Sequence, residues 1–123
     1  MVSGLTEDRP IYIQIKEYIE GEILSGTLKA DEQIPSTNQL VSYFSINPVT
    51  VLKGIGLLTD EAILYKKRGV GMFVDAGARE IILNKYRELF AADLILPMVR
   101  RAKPLGLSLK ELQKRIEQVW EEV

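Results

Sequence analysis

The 123-residue sequence predicts a mainly α-helical chain with one small β-hairpin, on three observations. Isoleucines 11, 15, 19 and 23 recur every four residues, which stacks them on one face of a helix. Residues 46–74, INPVTVLKGIGLLTDEAILYKKRGVGMFV, change period halfway along. Val51, Ile55 and Leu58 share a helical stripe, whereas Ala62–Tyr65 and Met72–Val74 are short apolar runs joined by Lys66-Lys67-Arg68-Gly69-Val70-Gly71. Finally, Ser36 with Gln39 and Ser108 with Glu111 have the spacing of capping boxes, each marking the start of a helix.

The elements follow in order. Pro10 suits the first position of helix one, where a fixed φ and a missing N–H cost nothing, and Gly26 is a natural left-handed stop. The stretch TLKADEQIP crosses to a short second helix capped at Ser36, with Leu40, Val41 and Phe44 as its buried face. Asn47 and Pro48 open a third helix that runs to about Asp60. Gly54 and Gly56 lie inside it and each costs about 1 kcal/mol relative to alanine, so tertiary packing has to hold this helix. After the hairpin, DAGA at 75–78 reads as a boundary between a first domain, residues 1–76, and a helical second region, residues 77–123.

In that second region a helix is expected from Ala78 to Lys103, with Ile82, Tyr86, Leu89 and Phe90 on a broad apolar face. Pro97 should kink or break it, since proline lacks the backbone donor and clashes with the preceding turn. KPLGLS connects to a last helix with a Leu107–Leu112 hydrophobic staple and an apolar stripe of Leu112, Ile116, Val119 and Trp120.

Composition narrows the functional classes. The chain is 46% hydrophobic and 27% charged, ordinary for a soluble globular protein, and no apolar run approaches the length of a membrane helix. No signal-peptide pattern opens it. Cysteine is absent, which removes disulfides and thiolate metal sites and fits a cytoplasmic location. Histidine is absent too, and no paired acids stand at a catalytic spacing, so no enzyme, metal site or cofactor is expected. Net charge is −1; residues 1–76 carry seven cations and ten acids, leaving +2 for the remainder. A nucleic-acid role therefore has to rest on local placement of charge.

Three short helices followed by a two-stranded hairpin is the order of a winged helix-turn-helix. There the third helix enters the DNA major groove and the hairpin, or wing, reaches the flanking backbone. A capped helix start and a tip carrying Lys66, Lys67 and Arg68 suit base edges and phosphates respectively. PIYIQIKEYIEGEILSGTLKADEQIPSTNQLVSYFSINPVTV followed by RGVGMFV resembles the N-terminal domain of GntR-type bacterial transcription regulators. The short helical remainder is similar to the YtrA-type subgroup, in which this region mainly dimerises.

The resemblance implies DNA-binding roles for Ser36, Thr37 and Asn38 at the start of helix two, and for Asn47, Pro48, Thr50 and Lys53 on helix three. On the wing it implies the same for Lys66, Lys67, Arg68, Gly69 and Gly71. Family members usually carry arginine where this chain has Asn38 and Leu52, and a basic residue where it has Val70. Asparagine and leucine cannot bridge guanine as arginine does, although Asn38 suits adenine.

The expected protein is a homodimeric regulator, in the repressor mould, on a two-fold related double-stranded operator. Ile82, Tyr86, Leu89, Phe90, Leu112, Ile116 and Trp120 form its expected dimer interface. Two readings compete: a winged-helix interaction module without DNA binding, and a regulator sensing a small ligand between its halves. No effector is specified by the sequence.

Overall fold

The structure, a computed structural model, describes residues 4–123. Three helices, α1 (Ile11–Leu24), α2 (Thr37–Phe44) and α3 (Pro48–Asp60), lead into an antiparallel hairpin of β1 (Leu64–Lys67) and β2 (Gly71–Val74). Helix α4 (Ala78–Phe90), a π turn (Ala91–Ile95), α5 (Leu96–Ala102), a 3-10 turn (Lys103–Leu105) and α6 (Leu109–Glu122) follow. The mainly helical architecture with one hairpin is therefore the one the sequence predicts.

The chain divides into two compact units, one ending at Asn84 and the other beginning at Lys85. In the first, α1 buries Ile15, Ile19 and Ile23, and α1 and α2 both pack on α3 through Leu40, Phe44, Val51, Ile55 and Leu58. The α2 capping box is complete: Ser36 Oγ accepts from the Gln39 amide at 3.1 Å, and Gln39 Oε1 accepts from the Ser36 amide at 2.7 Å. Asn47 Oδ1 accepts from the Val49 amide at 2.7 Å, and Pro48 takes the first helical position of α3.

Two details differ from the sequence expectation. Ala62 adopts a left-handed φ of 61°, so it turns the chain and the strand begins only at Leu64. The pairing then runs from Leu64↔Val74 to Lys67↔Gly71, which leaves Arg68, Gly69 and Val70 as the whole turn. Lys66 and Lys67 are consequently strand residues.

The segment before α2 covers the other edge of β2. Gln33 bridges Phe73, the Ile34 amide donates to Met72 at 3.0 Å, and Asp31 donates to Val74 at 2.7 Å. An unpaired strand edge thereby finds partners.

The unit boundary lies beyond the expected 76/77 because the first turns of α4 belong to the core of the first unit. Ala78 and Ile82 are 1% and 0% exposed and join its apolar cluster. Ile82 thus moves from the expected interface set to the interior.

In the second unit the helix is interrupted rather than broken before Pro97. Proline has no N–H to donate and its ring crowds the carbonyl four residues back. The backbone widens instead, and the Leu96 amide donates to Ala91, five residues earlier. Helix α6 begins with half of its expected capping box. The Glu111 amide donates to Ser108 Oγ at 3.1 Å, and the Ser108 hydroxyl itself donates to Glu111 Oε1 at 3.2 Å. No α6 residue is buried.

The two α3 glycines are not equivalent. A Cβ on Gly54 would stand 2.8 Å from the Tyr12 carbonyl oxygen and 3.3 Å from Ile15, whereas one on Gly56 meets nothing within 4 Å. Gly54→Ala is expected to destabilise the fold by about 1–3 kcal/mol through overpacking, despite its better helix propensity. Gly56→Ala is expected to stabilise it by about 1 kcal/mol. Urea unfolding of the two variants checks the opposite signs.

Candidate nucleic-acid interface

Helix α3 turns Val51, Gly54, Ile55 and Leu58 inward, leaving Val49, Leu52 and Lys53 exposed on the opposite face. Pro48 and Asn47 are exposed at its start, and Thr50 is half-buried. Lys53 extends over the Tyr12 ring of α1, its Nζ 4.0 Å from the centroid, an arrangement that favours a cation over an aromatic face. At the start of α2, Ser36 and Asn38 are exposed and Thr37 is half-buried. Capping uses only part of two of these side chains. Ser36 retains its hydroxyl proton, and Asn47 retains both amide N–H groups.

The hairpin presents Lys66, Lys67, Arg68 and Gly69, all exposed. Gly69 has a φ of 75°, which the three-residue turn requires. Gly71, at φ 146°, has a second reason to be glycine: a Cβ there would lie 2.5 Å from Gln33 Nε2. That amide donates to the Val70 carbonyl at 2.9 Å and so fixes the turn from a segment 37 residues away.

Gln33 is a positioning residue that sequence reading missed, since a lone glutamine in a loop carries no periodic or capping signal. Asp31 and Tyr65 were missed for the same reason. Tyr65 donates its hydroxyl to Asp31 Oδ1 at 2.8 Å and stacks on Phe73, with ring centroids 5.8 Å apart. The bond to Asp31 holds the Tyr65 phenol pKa above its ordinary value. Lys67 Nζ sits 4.3 Å from the Phe73 centroid.

The charge is local, as the composition required. Residues 33–59 contain no Asp or Glu, and seven of the ten acids in residues 1–76 precede residue 33. Across residues 33–74 four cations, Lys53, Lys66, Lys67 and Arg68, face only two acids, Asp60 and Glu61. Glu61 is paired with Lys16 at 2.8 Å. Among the described residues those four cations make no ion pair within the protein. Also among the described residues, no helix is long and apolar enough to cross a membrane, and no group of three metal-ligating side chains gathers.

A sequence model described as bacterial regulatory proteins, gntR family, matches residues 11–74, which span all of α1 through β2. The chain belongs to this family.

The chain is similar to the HTH-type transcriptional repressor YtrA of Bacillus subtilis, 26% identical over 110 residues that cover 89% of this chain and 84% of YtrA. It is also similar to the crystal structure of a GntR-family putative transcriptional regulator from Bacteroides thetaiotaomicron. There the TM-score is 0.78 at 30% identity, covering 91% of this chain and 97% of that one. A third likeness is to AraR(DBD) in complex with operator ORX1, with TM-score 0.54 and 36% identity over 60% of this chain and 90% of that one. Other curated relatives, matched over 65 to 86 residues, are much longer proteins, and this chain spans only 18 to 35% of their length.

The second unit of this gntR-family chain carries a different kind of surface. Phe90, Leu112, Ile116 and Trp120, together with Ile95 and Met98, line an open hollow of about 900 Å³. Tyr86 and Leu89 are exposed on α4.

Proposed function

We propose that this regulator acts as a homodimer, in the manner of a repressor, on a two-fold related operator. Helices α2 and α3 and the hairpin read the DNA, and the second unit pairs the two chains. The observation that carries the DNA-reading half is the conjunction of an acid-free stretch, residues 33–59, with four exposed cations on α3 and the hairpin that make no ion pair among the described residues.

In this reading Ser36, Thr37, Asn38, Asn47, Pro48 and Thr50 lie against the duplex at the two helix starts. Lys53, Lys66, Lys67 and Arg68 neutralise phosphates, and Gly69 and Gly71 let the wing backbone come close. The pairing half is supported by the apolar surface of the second unit, where Phe90, Ile116 and Trp120 are 54%, 40% and 78% exposed. Large exposed apolar patches of this kind mark association surfaces. A two-fold dimer matches a two-fold operator with a single self-complementary interface. Repression is the sign suggested by YtrA, itself named a repressor.

The test is binding of the protein to operator and random duplexes across a salt series. Each phosphate contact releases counterions, so log affinity should fall linearly with log salt. Arg68→Ala is expected to weaken operator and random DNA by similar factors and to flatten the salt slope by about 0.9 per chain. An unchanged slope would reduce Arg68 to a solvated turn residue. No duplex binding even at low salt would favour the interaction module instead.

A further inference from the structure

The outward face of α3 presents two large aliphatic side chains where a DNA-reading helix ordinarily has hydrogen-bonding groups. Val49 is 71% exposed and Leu52 55% exposed, and neither joins the apolar core. Spaced i and i+3, they lie on one side of the helix in its first turns, followed by Lys53. No arginine occurs anywhere in residues 36–60, so neither helix can bridge guanine through a guanidinium. Lys53 is the one cation there, and its ammonium is drawn back over the Tyr12 ring. Residues 33–59 hold no carboxylate to accept from the amino group of cytosine.

The base edges of the major groove offer one apolar feature, the C5-methyl group of thymine. We infer that Val49 and Leu52 select thymine by packing on its methyl group, so that the operator carries thymines at the positions this face of α3 meets. The inference rests on the DNA-reading role proposed above. The acid-free stretch 33–59, with four exposed cations that make no ion pair among the described residues, is what makes a duplex the occupant of this face. Apolar contact also explains the exposure itself. Two large aliphatic side chains left in water on a short helix are unfavourable until a partner covers them.

The experiment begins with a site selected by the full chain from a random synthetic duplex pool free of methylated cytosine. Thymines in that site are then replaced one at a time by deoxyuridine, which removes only the methyl group. Affinity for the unmodified protein is expected to fall about fourfold at each contacted position, the equivalent of ~0.8 kcal/mol per buried carbon. Val49→Ala and Leu52→Ala should bind the thymine site more weakly and should each lose the sensitivity to deoxyuridine at one position. Both side chains are exposed, so the melting temperatures of the variants report that the fold is intact.

Tight binding with no response to deoxyuridine would overturn the inference while leaving the DNA-reading role standing. So would a methyl response that neither variant alters. Failure to bind any duplex at low salt would overturn both.

Discussion

Ile116→Glu is expected to leave the protein folded but monomeric, and to lower its operator affinity by roughly 10²- to 10⁴-fold. No α6 residue is buried, and Ile116 is 40% exposed on the wall of an open apolar hollow. A carboxylate there still reaches water in the single chain, so the fold is expected to hold. In the proposed dimer the same carboxylate would be taken out of water against apolar side chains, an expensive transfer without a partner charge. Loss of the dimer makes the second half-site a separate binding event, and the avidity of linked sites, about 10²–10⁴, goes with it. Light scattering should give the mass of one chain in place of two, with the melting temperature of the first unit unchanged. A variant that keeps the parental mass and operator affinity would place the pairing surface elsewhere.

Ile82→Ala is expected to do the reverse, destabilising the first unit by about 2–5 kcal/mol as a fully buried truncation. The side chain is 0% exposed and packs in the same cluster as Ile15, Leu58 and Val74. For a domain of this size each kcal/mol lowers the melting temperature by about 4–8 °C. The folded fraction should keep its mass in light scattering, since Ile82 has no surface to offer a second chain. A drop in mass without a drop in melting temperature would return Ile82 to the interface. The pair of variants separates two residues that the apolar stripes of their helices make look alike.

Several elements were legible from neighbours within about four residues. The caps at Ser36 and Asn47 predict the starts of α2 and α3, and the isoleucine repeat predicts the buried face of α1. Capping hydrogen bonds and helical periodicity are local, so the order of residues along the chain is enough to specify them. The exposed positions at the starts of α2 and α3 and the cations of the hairpin were readable for that reason. So was the match to a gntR-family domain, whose order of elements those signals spell out.

Tertiary structure decided what depends on which neighbour lies across a surface. Gly54 and Gly56 read alike, yet only Gly54 faces the Tyr12 carbonyl of α1. Lys66 and Lys67 read as turn residues until the register with β2 drew them into a strand. Ile82 and Phe90 share the apolar face of one helix, but α4 enters the first core at Ile82 and leaves Phe90 exposed. Gln33 gained its role only when a chain segment 37 residues away brought the Val70 carbonyl within 2.9 Å. Periodicity specifies that a face is apolar and composition that a turn is cationic. Contacts between residues far apart in sequence determine what covers that face and what fixes that turn, and these arise only when the elements pack.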